Sequence, residues 1–480
     1  MITLIFCVKI SVAHFSRRLA VMLKKFIGDK RFYKRVFALM IPILIQNGIT
    51  NFVNMLDNLM VGQVGQTEMI GVSVANQLIF VFNLCIFGAV SGAGIFGAQY
   101  VGSGDTKGLR DTFRFKVLFC TVLTAGVIAL FYFGGDMLIN LYLKGEGSAE
   151  DISASFTAGR SYLNVMLVGL IPASLVQCYS STLREEGKTM PPMVSGLIAV
   201  AVNLVFNYIL IFGHFGAPKL GVVGAAIATV LSRFVELAIV AGWTHKNKDT
   251  NKFIVGAYRS IRVPLDLVKK IAQKGLPLML NETMWAAGLA FTNQCYSGEG
   301  LAVVAANNIV MTFFNVFAVA FQAVGVSIGI VLGQLLGAGK IKEAKDSSVK
   351  LITFSVFVSL AVMALFFVSA EFIPDFYKLD PDVKILATRM MQICALAVPF
   401  DAIANASYFT LRSGGQAIIT IIFDSGFVWA TMAPLAFALC NFTSLTILPI
   451  YACVQAVNAL KAALGLTFVG MGKWIKKIVA

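Results

Sequence analysis

Apolar residues run through this chain in long stretches separated by charged breaks. The stretches lie near 36–60, 68–100, 112–135, 156–182, 190–213 and 221–243, then 271–296, 301–336, 348–369, 384–411, 416–440 and 444–468. A bilayer core of roughly 30 Å takes about 20 apolar residues as a helix, so each stretch is long enough to cross. The pattern predicts about twelve transmembrane helices.

Basic residues fall on alternate connections. Lys24, Lys25, Lys30, Arg31, Lys34 and Arg35 precede the first stretch, and Lys107, Arg110 and Arg114 follow the second. Arg184 and Lys188 follow the fourth, and seven Lys or Arg residues from Lys246 to Lys270 follow the sixth. Lys340, Lys342 and Lys345, then Arg412, then Lys473, Lys476 and Lys477 continue the series. The other connections carry acids instead: Glu146, Glu150, Asp151, Glu371, Asp375 and Asp380. Because cytoplasmic loops are the Lys/Arg-rich ones, both termini and the long middle connection are expected in the cytoplasm of a multi-pass plasma (inner) membrane protein. The first residues place an apolar run before Arg17 and Arg18, the reverse of a signal peptide. They read as an appendage, with Met22 as an alternative start.

Composition agrees with a bilayer environment. Of 480 residues 58% are hydrophobic and only 13% charged, about half the charged share of a soluble domain. That excludes a nucleic-acid-binding domain, a secreted disulfide scaffold and a cytosolic enzyme. The net charge of +15 reads as basic cytoplasmic loops rather than as a nucleic-acid surface. The eight cysteines are scattered singly through apolar runs, so they read as small core residues and not as a metal site.

The chain repeats itself. Gln99-Tyr100-Val101-Gly102-Ser103-Gly104, with Lys107 and Asp111, matches Gln334-Leu335-Leu336-Gly337-Ala338-Gly339, with Lys342 and Asp346, at an offset of 235 residues. Pro42 and Pro277 share that offset, while Pro172 and Thr182-Leu183-Arg184 match Pro399 and Thr410-Leu411-Arg412 at 227–228. Six helices per half, each half starting on the cytoplasmic side, give parallel repeats related by a pseudo-two-fold along the membrane normal. Transporters built this way bind at the interface of the halves and rock. The expected division is an appendage at 1–35, an amino lobe at 36–243, a basic linker at 244–270, a carboxyl lobe at 271–470 and a basic tail at 471–480. A channel built from a duplicated half fits the same repeat.

Acids at membrane depth are functional candidates, since a charge there costs about 2.5–3.5 kcal/mol on insertion scales. Asp57 closes the first span on a stripe with Thr50 and Asn54, while Glu282, Asp401 and Asp424 lie in the seventh, tenth and eleventh. None has a basic residue at i±3 or i±4 on its own helix, so each is expected to be protonated or to hold a cation. Asn203 and Asn207 share one face of the fifth span. With Asp57 and Asn54 they would make a Na⁺ site, or a proton site with amide partners; alternatively they join helix to helix. Arg233 and Glu236 read as a structural ion pair. The run Gly92-Ala93-Gly94-Ile95-Phe96-Gly97 matches a dinucleotide fingerprint, but no strand precedes it and small residues in membrane helices serve close packing. Lys188-Thr189 lacks the first glycine of a phosphate loop, and with three histidines in the chain no His-based relay is expected.

Several of these motifs together resemble the multidrug and toxic compound extrusion (MATE) transporters. They are Asp57-Asn58-Leu59-Met60-Val61-Gly62 with Val74-Ala75-Asn76-Gln77, Asn203-x-x-x-Asn207-Tyr208, Leu220-Gly221-x-x-Gly224-Ala225-Ala226, and the twin Gln-x-x-Gly-x-Gly elements. The resemblance covers about 35–470 and is nearer the NorM-like than the DinF-like branch, which carries an acid where Asn207 stands. It implies an antiporter, not an enzyme, that exports cationic amphipathic compounds in exchange for Na⁺ or H⁺ and needs no other cofactor. Carried over by position, Asp57, Asn203 and Asn207, with Asn54 nearby, form the amino-lobe coupling site. Glu282 and Asp401, with Asp424 added from its depth, form the carboxyl-lobe site, so that Na⁺ is expected at either set. Pro42, Pro172, Pro277 and Pro399 are hinge candidates. The expected partners are organic cations, the coupling ion and the lipid bilayer, with the chain acting as a monomer. A lipid or lipid-linked oligosaccharide flippase of the same superfamily is the alternative, though its anionic cargo would want bases where this chain has acids. A membrane-embedded transferase would need a catalytic loop longer than any here.

Overall fold

The computed structural model describes residues 26–143, 148–377 and 379–479, without the side chains of Asn54, Met55, Asn58 and Leu59. The alternative start at Met22, Cys7 and Glu146 lie outside the described residues. Twelve long helices and no strand occur among those that are described. In the amino half they are α1 (Lys30–Gly62), α2 (Gln66–Ser103), α3 (Thr106–Leu143), α4 (Ala149–Glu185), α5 (Met190–Phe212) and α6 (Gly221–Lys246). The carboxyl half has α7 (Leu265–Ser297), α8 (Leu301–Gly337), α9 (Ile341–Ser369), α10 (Pro381–Ser413), α11 (Ala417–Phe442) and α12 (Ile447–Gly470).

All twelve apolar stretches are helices, and eleven of these helices are long and apolar enough to cross a membrane. The exception, α7, is diluted by Lys269, Lys270 and Lys274 in its first turns and by Asn281 and Glu282 further on. The longest, α2 and α3, have 38 residues each and rise about 57 Å, well beyond a hydrocarbon core.

Local chemistry sets the ends. The Asp29 carboxylate caps α1 by accepting from Phe32 N–H at 2.7 Å, and Ser148 caps α4 through Asp151 N–H, each satisfying an otherwise orphaned donor. Gly104 and Gly339, equivalent positions in the two repeats, both turn the chain with left-handed φ of 77° and 72°, a conformation that costs glycine nothing. Pro42, Pro172, Pro277 and Pro399 all lie inside helices, where each removes a backbone donor.

The helices form two six-helix bundles. In the first, α2 packs on α4, α4 on α6, α3 on α4 and α1 on α5; in the second, α8 packs on α10, α10 on α12, α9 on α10 and α7 on α11. The bundles join along α2 and α8, while α1 crosses to α8 and α7 crosses to α2. Gly92 of α2 lies against Gly275 of α7, where an added Cβ would strike the facing backbone. The glycine-rich run is thus a packing surface. Between α6 and α7 the chain does not hang free. Arg110 and Arg114 of α3 donate to the carbonyls of Lys252, Phe253, Gly256 and Ala257, so the linker is held against the amino bundle with Phe253 and Ile254 buried.

At the end bearing both described termini, here called the basic end, the two bundles are joined by matched contacts. Gln99, on α2, donates to the Ser413 carbonyl at the end of α10 at 3.1 Å. Gln334, on α8, donates to the Glu185 carbonyl at the end of α4 at 2.6 Å. Gly102 lies on the backbone carbonyl of Gln334 and Gly337 on that of Gln99, with no room for a Cβ at either. The twin Gln-x-x-Gly-x-Gly elements are therefore the junction.

Candidate cation and substrate site

In the amino bundle α1 and α5 bring Asp57 to Asn203 and Asn207. Asn207 Nδ2 donates to Asp57 Oδ1 at 2.6 Å. The Asn203 amide, with its oxygen turned to the Thr229 hydroxyl at 3.2 Å, places its nitrogen 2.9 and 3.2 Å from the two Asp57 oxygens. Both asparagines are buried. Two neutral donors thus hold one carboxylate; Asn54 sits on α1, and its side chain lies outside the described residues. Arg233 and Glu236 of α6 pair at 2.8 Å, as the spacing predicts. Arg233 also shares a cleft of about 50 Å³ with Asp57, Thr50 and Asn203.

This cleft adjoins a larger space. A cavity of about 490 Å³ opens inside the amino bundle, lined by Gln46, Asn47, Thr50, Asn83, Arg233 and Glu236 and by Phe80, Phe82, Phe87 and Met166. Its volume and its mixture of apolar walls with a few polar groups suit a drug-sized ligand.

The carboxyl bundle is built differently. Glu282 on α7 accepts from the Tyr408 hydroxyl of α10 at 2.7 Å. Asp401 lies seven residues before Tyr408 on the same helix, about 10 Å of rise away. Glu282 thus has Tyr408, and not Asp401, as its hydrogen-bond partner.

Asp424 departs furthest from expectation. It does not stand alone, because Lys461 of α12 reaches its Oδ1 at 2.6 Å and Asn281 of α7 donates to its Oδ2 at 2.9 Å. The correction is topological: no base lies on its own helix, and the partner comes from the next one. Asn281 also accepts the Ser425 N–H at 3.2 Å. That capture accompanies a π-helical turn at Ile422–Gly426, followed by a second at Val428–Met432; such bulges favour functional positions.

Two further groups escape a reading by spacing. Lys116 of α3, fully buried, pairs with Glu185 of α4 at 2.5 Å. Arg412, also buried, makes no side-chain hydrogen bond or ion pair among the described residues. Lys116 sits in an apolar run, whereas Arg412, at the end of one, reads by sequence as one more basic residue of a connection. Among the described residues no cluster of three His, Cys, Asp or Glu could hold a metal ion.

Two related bundles of helices long and apolar enough to cross a membrane, with polar groups gathered at depth around internal cavities, have the build of a multi-pass membrane transporter. The MatE family model matches residues 42–209 and again 277–428, and the two matches begin at the same 235-residue spacing as the twin motifs. They cover more than half of the chain, which belongs to the MatE family. Relatives agree. The "Probable multidrug resistance protein NorM" of Thermotoga maritima is 26% identical over 93% of this chain and 94% of its own. The multidrug resistance protein MdtK of Proteus mirabilis is 24% identical over 81% of this chain and 83% of its own. A structure described as the outward-facing conformation of a multidrug resistance MATE family transporter superposes with a TM-score of 0.84 at 18% identity, over 94% of this chain and 97% of that one.

Proposed function

We propose that this chain is an antiporter that exports cationic, amphipathic compounds across the plasma membrane by alternating access, driven by inward Na⁺ or H⁺. The observation that carries the reading is the Asp57 carboxylate, held by two asparagines beside a cleft that adjoins a drug-sized cavity. A carboxylate there attracts an organic cation, Phe80, Phe87 and Met166 bury its apolar parts, and aromatic faces add cation–π attraction. The amide nitrogens face Asp57 in this conformation, an arrangement ready for a carboxylate that gains and loses a proton. Na⁺ would need the amides turned to offer their oxygens.

Coupling then requires only that ion and substrate compete. An ion taken up from outside neutralises the acid and lowers the affinity of that state for the organic cation, which leaves. The contacts that join the lobes at the basic end support a cavity that opens away from that end. Under the positive-inside rule the basic end with both termini is cytoplasmic. Glu282, with its Tyr408 partner, and Asp401 form separate carboxyl-lobe acids in the same cycle, and the four helix prolines are its hinges. The chain carries both lobes and works as a monomer.

The test is efflux of a fluorescent organic cation from everted vesicles, with Na⁺ and proton gradients imposed separately. One gradient should drive efflux by the wild type, and Asp57→Asn should lose at least about tenfold, which corresponds to some 1.4 kcal/mol. Gradient-driven efflux that is unchanged in Asp57→Asn would remove the amino-lobe coupling site, and no efflux under either gradient would remove the antiport reading.

A further inference from the structure

Beside the matched glutamine contacts lies a second cavity, of about 130 Å³, between the bundles. Arg184 at the end of α4 and Arg412 at the end of α10 both line it. They are the same residue of the repeated Thr-Leu-Arg, so the pseudo-two-fold brings two guanidinium groups to one space.

Neither has an ion-pair partner among the described residues. Arg412 is only 7% exposed, its Nη1 has no acceptor, and no carboxylate pairs with it among the described residues. Its guanidinium lies instead over the rings of Phe87, Tyr408 and Phe409, at 5.5–5.8 Å. Arg184 donates from Nη2 to Gln46 at 2.7 Å, yet its buried Nε is also without an acceptor. One acid, Glu185, borders the cavity. Its Oε1 is taken by Lys116, and the carboxylate is turned onto α2, where Gly94 and Gly97 leave room that a Cβ would fill. Its Oε2 meets no donor. The Lys116–Glu185 pair sums to zero; the other acids that act on Arg412 and Arg184 are Glu282, held by Tyr408, and Glu236, paired with Arg233, so at the small, largely apolar space itself the two guanidinium groups have no acid of their own.

A buried charge without a partner is strongly unfavourable, and water alone supplies no counter-charge. Guanidinium groups match carboxylate and phosphate oxygens by their fork of N–H donors. We propose that the cavity between Arg184 and Arg412 binds a small oxyanion, a carboxylate or phosphate group, that bridges the two lobes and stabilises the state closed at the basic end. The volume admits a group of a few heavy atoms, so the ligand is a free anion or the head of a larger molecule such as an anionic lipid.

The test reads thermal stability, independently of transport. The purified full chain in a neutral detergent is melted with rising sodium phosphate or sodium acetate against sodium chloride at equal ionic strength. The expected result is a saturable rise in Tm, as for any ligand selective for the folded state, that is absent in Arg412→Gln. Gln177→Glu places a carboxylate on the cavity wall at nearly constant volume and should also lose the response, which keeps the test available if Arg412→Gln does not fold. In nanodiscs, stabilisation by phosphatidylglycerol over phosphatidylcholine in the wild type but not in Gln177→Glu, with soluble anions silent, assigns the oxyanion to a lipid headgroup. The proposal is overturned if neither soluble anions nor phosphatidylglycerol stabilise the wild type. It is equally overturned if the rise is the same size in both variants, which is how a salt excluded from the protein surface behaves.

Discussion

At the basic end the two lobes touch through equivalent residues: Gln99 and Gln334 each reach the last carbonyl region of a helix in the other lobe, and Gly102 and Gly337 each admit the other's backbone. At membrane depth the same lobes share almost nothing. Asp57 is held by neutral asparagine donors, whereas Asp424 is held by an ammonium and Glu282 by a phenol. The difference follows from what each region has to satisfy. A contact between repeats is made once in each direction, so a change on one side spoils the geometry of both. A group inside a bundle answers only to its own neighbours and is free to diverge.

The largest effect should come from the carboxyl lobe's ion pair. Lys461→Met leaves Asp424 as a largely buried charge, with side-chain exposure of only 16%, and removing one partner of such a pair costs about 3–5 kcal/mol. Asp424→Asn combined with Lys461→Met should recover most of it. In the amino lobe Asp57→Asn keeps a polar group among amides and should cost far less stability, even though it is the change expected to stop coupling. Melting temperatures of the three purified variants and the wild type check the contrast; a Lys461→Met protein as stable as the wild type would remove it.

Next in size is the glycine junction. Gly102→Ala and Gly337→Ala each drive a Cβ onto a backbone carbonyl that has no rotamer to escape by, and overpacking of this kind costs about 1–3 kcal/mol. Symmetry predicts equal losses. A loss at one position alone would show that only one of the two approaches governs closure.

How much of this could be read from residues alone follows the same division. The twelve spans were legible because apolar runs and charged breaks report a membrane directly, and the junction was foreshadowed by the repeated Gln-x-x-Gly-x-Gly. The amino-lobe trio was also within reach, since Asn203 and Asn207 share a helix face by spacing. Lys461 was not, because it lies 37 residues from Asp424 on another helix, and periodicity says nothing about which helices touch. The π-helical turns of α11 were hidden for the same reason: Asn281, on α7, takes the Ser425 N–H. Arg412 looked like one more basic residue of a cytoplasmic connection, and only the packing of α2 and α10 shows it buried.

The smallest effects refine the junction itself. Gln99→Ala and Gln334→Ala each delete a cross-lobe hydrogen bond, worth about 0.5–1.5 kcal/mol apiece, and here the symmetry is expected to fail in a defined direction. Gln334 has one further partner, Arg35, whose Nη2 it accepts at 2.5 Å in an exposed pair. Gln99 is fully buried and has two: it donates to the Lys476 carbonyl and accepts from the Ile478 N–H at 2.8 Å. Gln99→Ala therefore strands part-buried backbone groups of the tail as well as the buried Ser413 carbonyl of α10, and should lower Tm more than Gln334→Ala. Ending the chain after Gly470 removes those tail partners, so in that background the two alanine variants should become equal. If Gln99→Ala remains the more damaging there, the asymmetry lies in the bundles and not in the tail that crosses between them.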